Sequence, residues 1–381
     1  MSKVKIETLT PIHIGSGNFL RNNSDFVQHI DGEDSYIYVI DPKKILSLIG
    51  IEHLDDWVRL IERNGDTKDF VQRMGHNATP EKYALRTLVN YAHSVRPNDT
   101  LKECMHDGLG RAYIPGSSIK GAIRTAILTT LTQRMKGLEP IVAEKNIKTG
   151  RTNVTAKKVE AKLFGGDPNS DIFRFVRIGD AYFEEGCEIS SRVINLNIRE
   201  NNNLIDPSKP QIVEAIAPDY ESVIQMNIDK TYYNWVKDHW PNLTGKTKSL
   251  GELPTEIANI QSLFELINNH TRNLVTDEIE IWSEVTDNRY SGAEEYLANM
   301  NDILQQINSC TTGKECILRI GHASGWRFIT GAWTEKLDNF ENTIVPASRP
   351  GNHKYQQYDF PKSRRLDEDS DIFGFVKLSV M

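Results

Sequence analysis

The sequence predicts an α+β protein in which the first and last strands share one sheet and helical segments interrupt it. Three observations carry this. Period-two alternation marks both ends of the chain, over Lys3–Leu9 and in "DIFGFVKLSV" (371–380). Four strand-like segments fill 171–228. Long stretches with helical spacing separate these blocks, at 42–96, 117–135 and 254–309. With 39% hydrophobic and 25% charged residues the chain can build a core, which excludes wholesale disorder. Its 381 residues suit two modules, or one module with large insertions.

In chain order, Lys3–Leu9 sets Val4, Ile6 and Thr8 against Lys5 and Glu7, breaks at Pro11 and runs into "IHIGSG". Ser35–Ile40 reads as a second strand. From Pro42 to Arg96 the expectation is helical, through "DPKKILSLIG", "HLDDWVRLIERN" and "TPEKYALRTLVNYAHSV". The last has Thr79 as N-cap, Pro80 at the first helical position and Glu81 after it. The next helix is expected over Ser117–Met135, with apolar residues at 119, 122, 123, 126, 127 and 131 and Ser117 or Ser118 as N-cap. Residues 137–156 lack a clean period and read as an exposed loop carrying Lys145, Lys148 and Arg151. "AKKVEAKLFG" is a short helix closed by Gly165 and Gly166. Strands are expected at 171–183, 188–198, 211–218 and 222–228, with "RENNNLIDPSKP" as a polar hairpin tip. Helix returns over 254–309, and 316–333 reads as a strand followed by a glycine-rich turn.

The net charge is −7 and the pI about 5.9, so a nucleic-acid-binding chain of this composition must concentrate its cations locally. The four cysteines form no CxxC pair, which argues against a zinc site or disulfide scaffold and for a reducing cytosol. "MSKVKIETLT" has no apolar signal region, and no apolar run reaches membrane-spanning length, so a soluble cytoplasmic protein without membrane contact is expected. There is no Walker A loop and no acidic pair of the DxD kind, hence no expected cofactor or metal.

"YIPGSSIKGAIRTAIL" (113–128) groups Ser117, Lys120, Gly121 and Arg124 at spacings of three and four. A helix start offers free N–H groups and a positive dipole end, and a phosphate there would turn two unfavourable cations into partners. The alternative is a capped core helix with two solvated cations, and both stay open. "RIGHASGW" (319–326) offers Gly321, His322, Ser324 and Gly325 as a phosphate-cradling turn or as an ordinary hairpin turn. "LTPIHIGSG" (9–17) places His13 beside Gly15, Ser16 and Gly17. His13 and His322 together could supply the base and acid of a metal-independent ribonuclease if the fold made them neighbours. "PASRPGNHKYQQYDFPKSRR" (346–365) interleaves cations, Lys362, Arg364 and Arg365 among them, with Tyr355, Tyr358 and Phe360, as single-stranded RNA sites do. Asp180 in "GDA" suits a capping or turn role better than catalysis.

"LTPIHIGSG", "YIPGSSIKGAIRTAIL", "RIGDAYF", "RIGHASGW" and "PKSRR" occur in that order over nearly the whole chain. Together they resemble the RAMP superfamily of CRISPR effector proteins, and more narrowly the type III-A subunits that cap the 3′ end of the CRISPR RNA. The resemblance implies a ferredoxin/RRM-like core at 1–41, 111–245 and 310–381, with helical insertions at 42–110 and 246–309. It implies a structural role in antiviral defence and crRNA maturation, with crRNA as ligand and no catalytic residue. Partners would be the repeated backbone RAMP subunit, the small subunit and, as an open case, host ribonucleases. RNA contacts would fall at His13, Gly15, Ser16, Gly17, Ser117, Ser118, Lys120, Gly121, Arg124, Gly321, His322, Ser324, Gly325, Lys362, Arg364 and Arg365. The competing readings are a ribonuclease using His13 and His322, a type III-B subunit of the same superfamily, and an RNA-free scaffold.

Overall fold

The architecture follows from a computed structural model, which describes residues 2–74, 77–92, 94–147, 150–166, 171–197, 205–240, 253–285, 292–348, 361 and 363–381. Strands β1 (Ser2–Thr8), β2 (Gly15–Arg21), β3 (Phe26–Asp31) and β4 (Asp34–Ile40) come first, then helices α1 (Pro42–Ile49), α2 (Leu54–Glu62) and α3 (Thr67–Arg73). Strands β5 (Ala84–Asn90), β6 (Thr100–Cys104) and β7 (Tyr113–Ile114) lead into helix α4 (Gly116–Gln133). Helix α5 (Glu139–Val142), the hairpin β8 (Ala143–Lys145) and β9 (Thr152–Val154), and helix α6 (Lys157–Phe164) follow. The remainder is β10 (Val176–Ile178), β11 (Ala181–Tyr182), β12 (Glu188–Asn197), β13 (Ile205–Ile216), β14 (Glu221–Ile228), helices α7 (Lys230–His239), α8 (Ile260–Val285) and α9 (Ala293–Ser309), then β15 (Glu315–Arg319), β16 (Ser363–Leu366) and β17 (Phe375–Val380).

The two chain ends meet in one antiparallel sheet of order β10-β14-β1-β17-β15. Val4 lies opposite Ile224 on one side and Val380 on the other, and Ile6 opposite Leu378. The alternation that marks β1 sends Val4 and Ile6 to one face, where both are fully buried in the same core cluster as Ile119, Ile123, Ala126 and Ile127 of α4. At about 25 cal/mol per Å², burying such aliphatic side chains contributes about 1.5–3 kcal/mol each. On the opposite face Lys5 pairs with Glu221 at 2.6 Å. A second cluster packs α8 and α9 on the sheet through Trp282, Tyr296, Met300, Ile317 and Phe375.

A second sheet runs β2-β6-β13-β12-β5-β4-β3, with β16 pairing β12. Helices α1–α3 cover its β3–β4 end through Trp57, Phe70, Tyr38 and Ile40. β6 pairs β13 in parallel and β2 antiparallel, which carries the loop after β1 to the side of the glycine turn after β15. No helix among the described residues is long and apolar enough to cross a membrane.

Several elements depart from the sequence reading. The stretch 79–95 is not a helix: Thr79 makes no side-chain cap, Pro80–Tyr83 forms one 3₁₀ turn, and β5 follows. Leu88 and Asn90 point inward while Leu85 and Val89 stay exposed, a period-two pattern locked by β4 on one side and β12 on the other. Tertiary pairing overrides the helical start signal there. Strands β2 and β3 were not foreseen. Residues 137–156 contain α5 and the β8–β9 hairpin instead of an irregular loop, although Lys148 lies outside the described residues. β13 starts at Ile205, ahead of the expected 211. The 171–183 stretch divides into a 3₁₀ turn capped by Asp171, β10 and β11.

Candidate nucleic-acid interface

The α4 start answers the question its cations raised. Its N-cap is Pro115, and neither Ser117 nor Ser118 caps it. The negative group comes from within: Asp180, just after β10, accepts the Gly116 N–H at 2.7 Å. Gly116 must be glycine, because a Cβ would stand 2.3 Å from the Ile178 carbonyl and 2.7 Å from that of Gly179. Lys120 and Arg124 lie one and two turns farther in, beyond the reach of the dipole's first turn. The Arg124 guanidinium donates to Glu160 (3.0 Å) and to both oxygens of Asp171 (3.0 and 2.9 Å) and lies over the Phe164 ring. The expected phosphate ligand is therefore a brace between α4, α6 and the turn before β10. Lys120 is half-buried over Phe173, its pKa lowered by burial with Arg124 and Arg177 adding to the effect and Asp171 opposing it. Ser117 and Gly121 are exposed, and nothing lies within 4 Å of a Cβ placed on Gly121.

The C-terminal motif divides likewise. Lys362, Arg349, Lys354, Tyr355, Tyr358 and Phe360 lie outside the described residues. Arg364 is buried and spent on the fold. Its guanidinium donates to both carboxylate oxygens of Glu278 on α8 and to the Pro361 carbonyl, and it faces the Trp282 ring. Glu278 also accepts from Arg327 (2.8 Å) and from the Tyr296 hydroxyl (2.5 Å). Burial alone would raise its pKa, but these partners hold it down at about 2. Sequence spacing could not show this, because 86 residues separate Arg364 from Glu278. Arg365, the next residue on β16, is exposed.

The two glycine turns come together. Gly321 has φ +79°, and a Cβ there would stand 2.6 Å from the His13 carbonyl, so only glycine lets the turn after β15 press on the loop after β1. The His322 N–H donates to that same carbonyl at 2.9 Å. The rings of His13 and His322 meet edge to face with centroids 5.4 Å apart. His13 is buried, and its Nδ1 lies 2.6 Å from the Glu214 carbonyl. A carbonyl only accepts, so Nδ1 carries the proton and Nε2 keeps its lone pair. Nε2 faces Gly15, where a Cβ would be 3.0 Å away. The Nε2 of His322 is enclosed and has no hydrogen-bond partner among the described residues. Burial lowers both imidazole pKa values, to about 4 for His13 and about 3 for His322, and nearby Lys102 pushes both the same way. Both rings are thus neutral at pH 7. Ser324 is buried and donates to the Gly321 carbonyl, and Gly325 (φ +82°) stands in open space.

Lys102 on β6 is the residue that sequence reasoning missed. Its Nζ stands 5.8 Å from the Phe19 ring centre, and its pKa is lowered by burial and by Arg365. Arg365 also acts on His322. Among the described residues neither Lys102 nor Arg365 has an ion-pair partner; Lys102 acts on both histidines and Arg365 on His322. The only sequence signal was a lone cation in the strand "TLKEC", indistinguishable from a solvated lysine.

Beneath this surface lies a charged network. Glu214 accepts from Arg86 (2.6 Å) and from the Cys104 N–H (2.7 Å). Arg86 also donates to Glu103 (3.1 Å), and Glu103 accepts from Ser16 (3.0 Å) and Asn18 (2.8 Å), which fixes the Gly15–Gly17 loop. His106, Glu188 and Glu214 bring ligand-type atoms within 4.8 Å of one another. The Arg86 guanidinium already stands among them and supplies the positive charge a cation would bring.

These two turns lie at or near the ends of the region matched by the family model of the RAMP superfamily, residues 5–326. The chain belongs to the RAMP superfamily. It is similar to the CRISPR system protein Csm5 of Methanocaldococcus jannaschii, 32% identical over 193 residues, or 48% of this chain and 43% of that protein. It is also similar to Csm5 of Enterococcus italicus, 26% identical over 150 residues, 33% of this chain and 42% of the relative. The alignments thus span less than half the length of these RAMP relatives. The fold matches the crystal structure of T. onnurineus Csm5 with a TM-score of 0.64 at 19% identity, over 99% of this chain and all of that one. A chain of the cryo-EM structure of a type III-A Csm–crRNA–target RNA ternary complex matches equally, with a TM-score of 0.64 and 19% identity over 100% of both chains. As a RAMP protein, the chain carries its glycine-rich turn where β15 ends, against the loop that follows β1.

Proposed function

We propose that this chain is an RNA-binding structural subunit of a type III-A CRISPR effector complex. It seats crRNA backbone at the junction of the two glycine turns and caps the row of repeated backbone subunits at the crRNA 3′ end, in support of crRNA maturation. The observation that carries the reading is the contact of the two glycine turns, Gly321 and His322 on the His13 carbonyl, with Lys102 adding positive charge around both histidines of an otherwise acidic protein. Likeness to Csm5 proteins supplies the assembly: the backbone and small subunits would be neighbours, with host ribonucleases as transient ones.

Binding of the full chain to labelled single-stranded RNA should weaken steeply as salt rises, with a slope near 0.7 per phosphate contacted. Salt-independent affinity, or equal affinity for duplex DNA, would reject the reading.

The ribonuclease reading gains from the 5.4 Å ring separation and loses on protonation. A general acid must hold a proton at working pH, and the surroundings hold both imidazoles neutral.

A further inference from the structure

We propose that the cavity between α4, α8 and the 3₁₀ turn Ala332–Lys336 is a nucleobase site, which takes the neutral base of a free nucleoside or of an unpaired RNA nucleotide. The inference goes beyond the crRNA-backbone reading and does not depend on it. The cavity holds about 410 Å³, within the range of about 300–1,000 Å³ that small-molecule sites occupy. The segment leading into its 3₁₀ wall is tied to α4 by the Thr125 and Thr330 hydroxyls, 3.1 Å apart.

Three features of the lining point to such a ligand. First, the cavity has an accessible rim and a built floor: Gln133, Asn269 and Asn273 are exposed, whereas Thr129, Ala332 and Trp333 are buried. Second, its cations are spent. Arg134 pairs with Glu256 (2.6 Å), Lys336 with Asp277 (2.9 Å), and Arg327 with Glu335 and with Glu278 (2.8 Å). Glu265 adds a carboxylate with no cation partner among the described residues, so the lining favours a neutral ligand over an anion. Third, the side chains of Gln133, His270 and Asn273 make no hydrogen bond among the described residues. Each carboxamide offers an N–H donor and a carbonyl acceptor. Burial lowers the His270 pKa to about 4, so its imidazole is neutral at pH 7 and likewise holds one donor and one acceptor.

A purine or pyrimidine base matches this lining. Its edge sets N–H donors beside oxygen and ring-nitrogen acceptors in one plane, and a carboxamide takes two of them in parallel. Its faces are flat and apolar, which suits the Leu266, Ala332 and Trp333 side chains of the wall. An aliphatic ligand would leave the free amides and the imidazole without partners, at the cost of their desolvation. Phosphate groups stay outside, because the four carboxylates of the lining outnumber its three cations. Gln133, Trp333 and Lys336 also border a second cavity of about 620 Å³, which gives the ribose and any chain attached to it a way out.

The test is saturation-transfer NMR on the full chain, with adenosine, guanosine, cytidine and uridine as separate probes. At least one should bind with a Kd of about 0.1–1 mM, as expected for a ligand of that size. Gln133→Ala/Asn273→Ala changes two exposed positions, so it should fold like the parent by near-ultraviolet circular dichroism. It should weaken the bound nucleoside by about five-fold or more. The corresponding 5′-triphosphate should bind the parent less tightly than the nucleoside. A short single-stranded RNA separates the two sources of the base. Loss of the nucleoside signal with that RNA, but not with an abasic chain of the same length, assigns the site to an RNA base; any other result assigns it to the free nucleoside. No binding of any nucleoside, binding unchanged in the folded double variant, or a triphosphate bound as tightly as its nucleoside overturns the site and leaves the RNA-binding reading standing. Nucleoside binding by a chain that fails to bind RNA overturns that reading and leaves the site standing.

Discussion

The His322 N–H donates to the His13 carbonyl at 2.9 Å, and the two imidazoles then meet edge to face. This links residues 309 positions apart and joins the turn after β1 to the turn after β15. Gly321 permits the bond, because any Cβ there would strike the same carbonyl.

Gly321→Ala should therefore separate the turns. The left-handed φ alone costs about 1–2 kcal/mol for a residue with a Cβ, and the collision adds to it. Gly325→Ala has the same φ penalty without a collision. Thermal unfolding should show the larger loss of Tm for Gly321→Ala, with weakened RNA binding. Equal losses would mean that the close approach does not matter.

Arg124→Ala and Lys120→Ala should behave differently. Arg124 holds Glu160 and Asp171 with its side chain mostly buried, so its removal should cost about 1–3 kcal/mol in chemical denaturation. Lys120 has no carboxylate in hydrogen-bond contact among the described residues, and its loss should cost under about 1 kcal/mol. If Arg124→Ala is as stable as the parent, the guanidinium is free for another partner, and the phosphate role at α4 regains its ground.

The Glu278 hub gives a pH dependence. Its folded pKa, about 2, lies below the ordinary 4.5, so its contribution is fully present above about pH 4.5 and is lost as pH falls toward 2. Acid unfolding followed by fluorescence should show a transition in that window. Glu278→Gln should flatten the window and lower stability at pH 7 by about 3–5 kcal/mol, because Arg364 and Arg327 are left buried without their charge partner. An unchanged acid profile would show that other carboxylates govern it.

Much of this was legible in the sequence for one physical reason: alternation and helical stripes encode which face is buried. β1, α4, β12, β14, the α8–α9 pair and the sharing of a sheet by the two chain ends all follow from such patterns. Asp180 was read as a capping or turn residue, and its carboxylate accepts the first N–H of α4. What stayed hidden depends on partners distant in sequence. β5 follows a Thr79-Pro80-Glu81 helix-start signal and is a strand only because β4 and β12 flank it. Arg124 and Arg364 look like free cations until Asp171 and Glu278 arrive from 47 and 86 residues away. Lys102 has the opposite history, a commonplace residue that the pairing of β6 with β2 and β13 brings near two histidines.

The purified chain should not cleave RNA. Incubation with labelled RNA, with and without EDTA, beside His13→Ala/His322→Ala decides this. Cleavage that survives EDTA and vanishes in a folded double mutant would make the histidine pair catalytic. Cleavage equal in both would mark a contaminant.

The central claim is that RNA lies across the junction of the two glycine turns. Its most direct test is photo-crosslinking of the full chain to single-stranded RNA carrying 4-thiouridine, with mass-spectrometric mapping of the linked peptides. The account predicts crosslinks concentrated in peptides containing residues 13–19, 100–104 and 321–327, lost when competitor RNA is added. Crosslinks that avoid all three segments and fall instead on α1–α3 would contradict it.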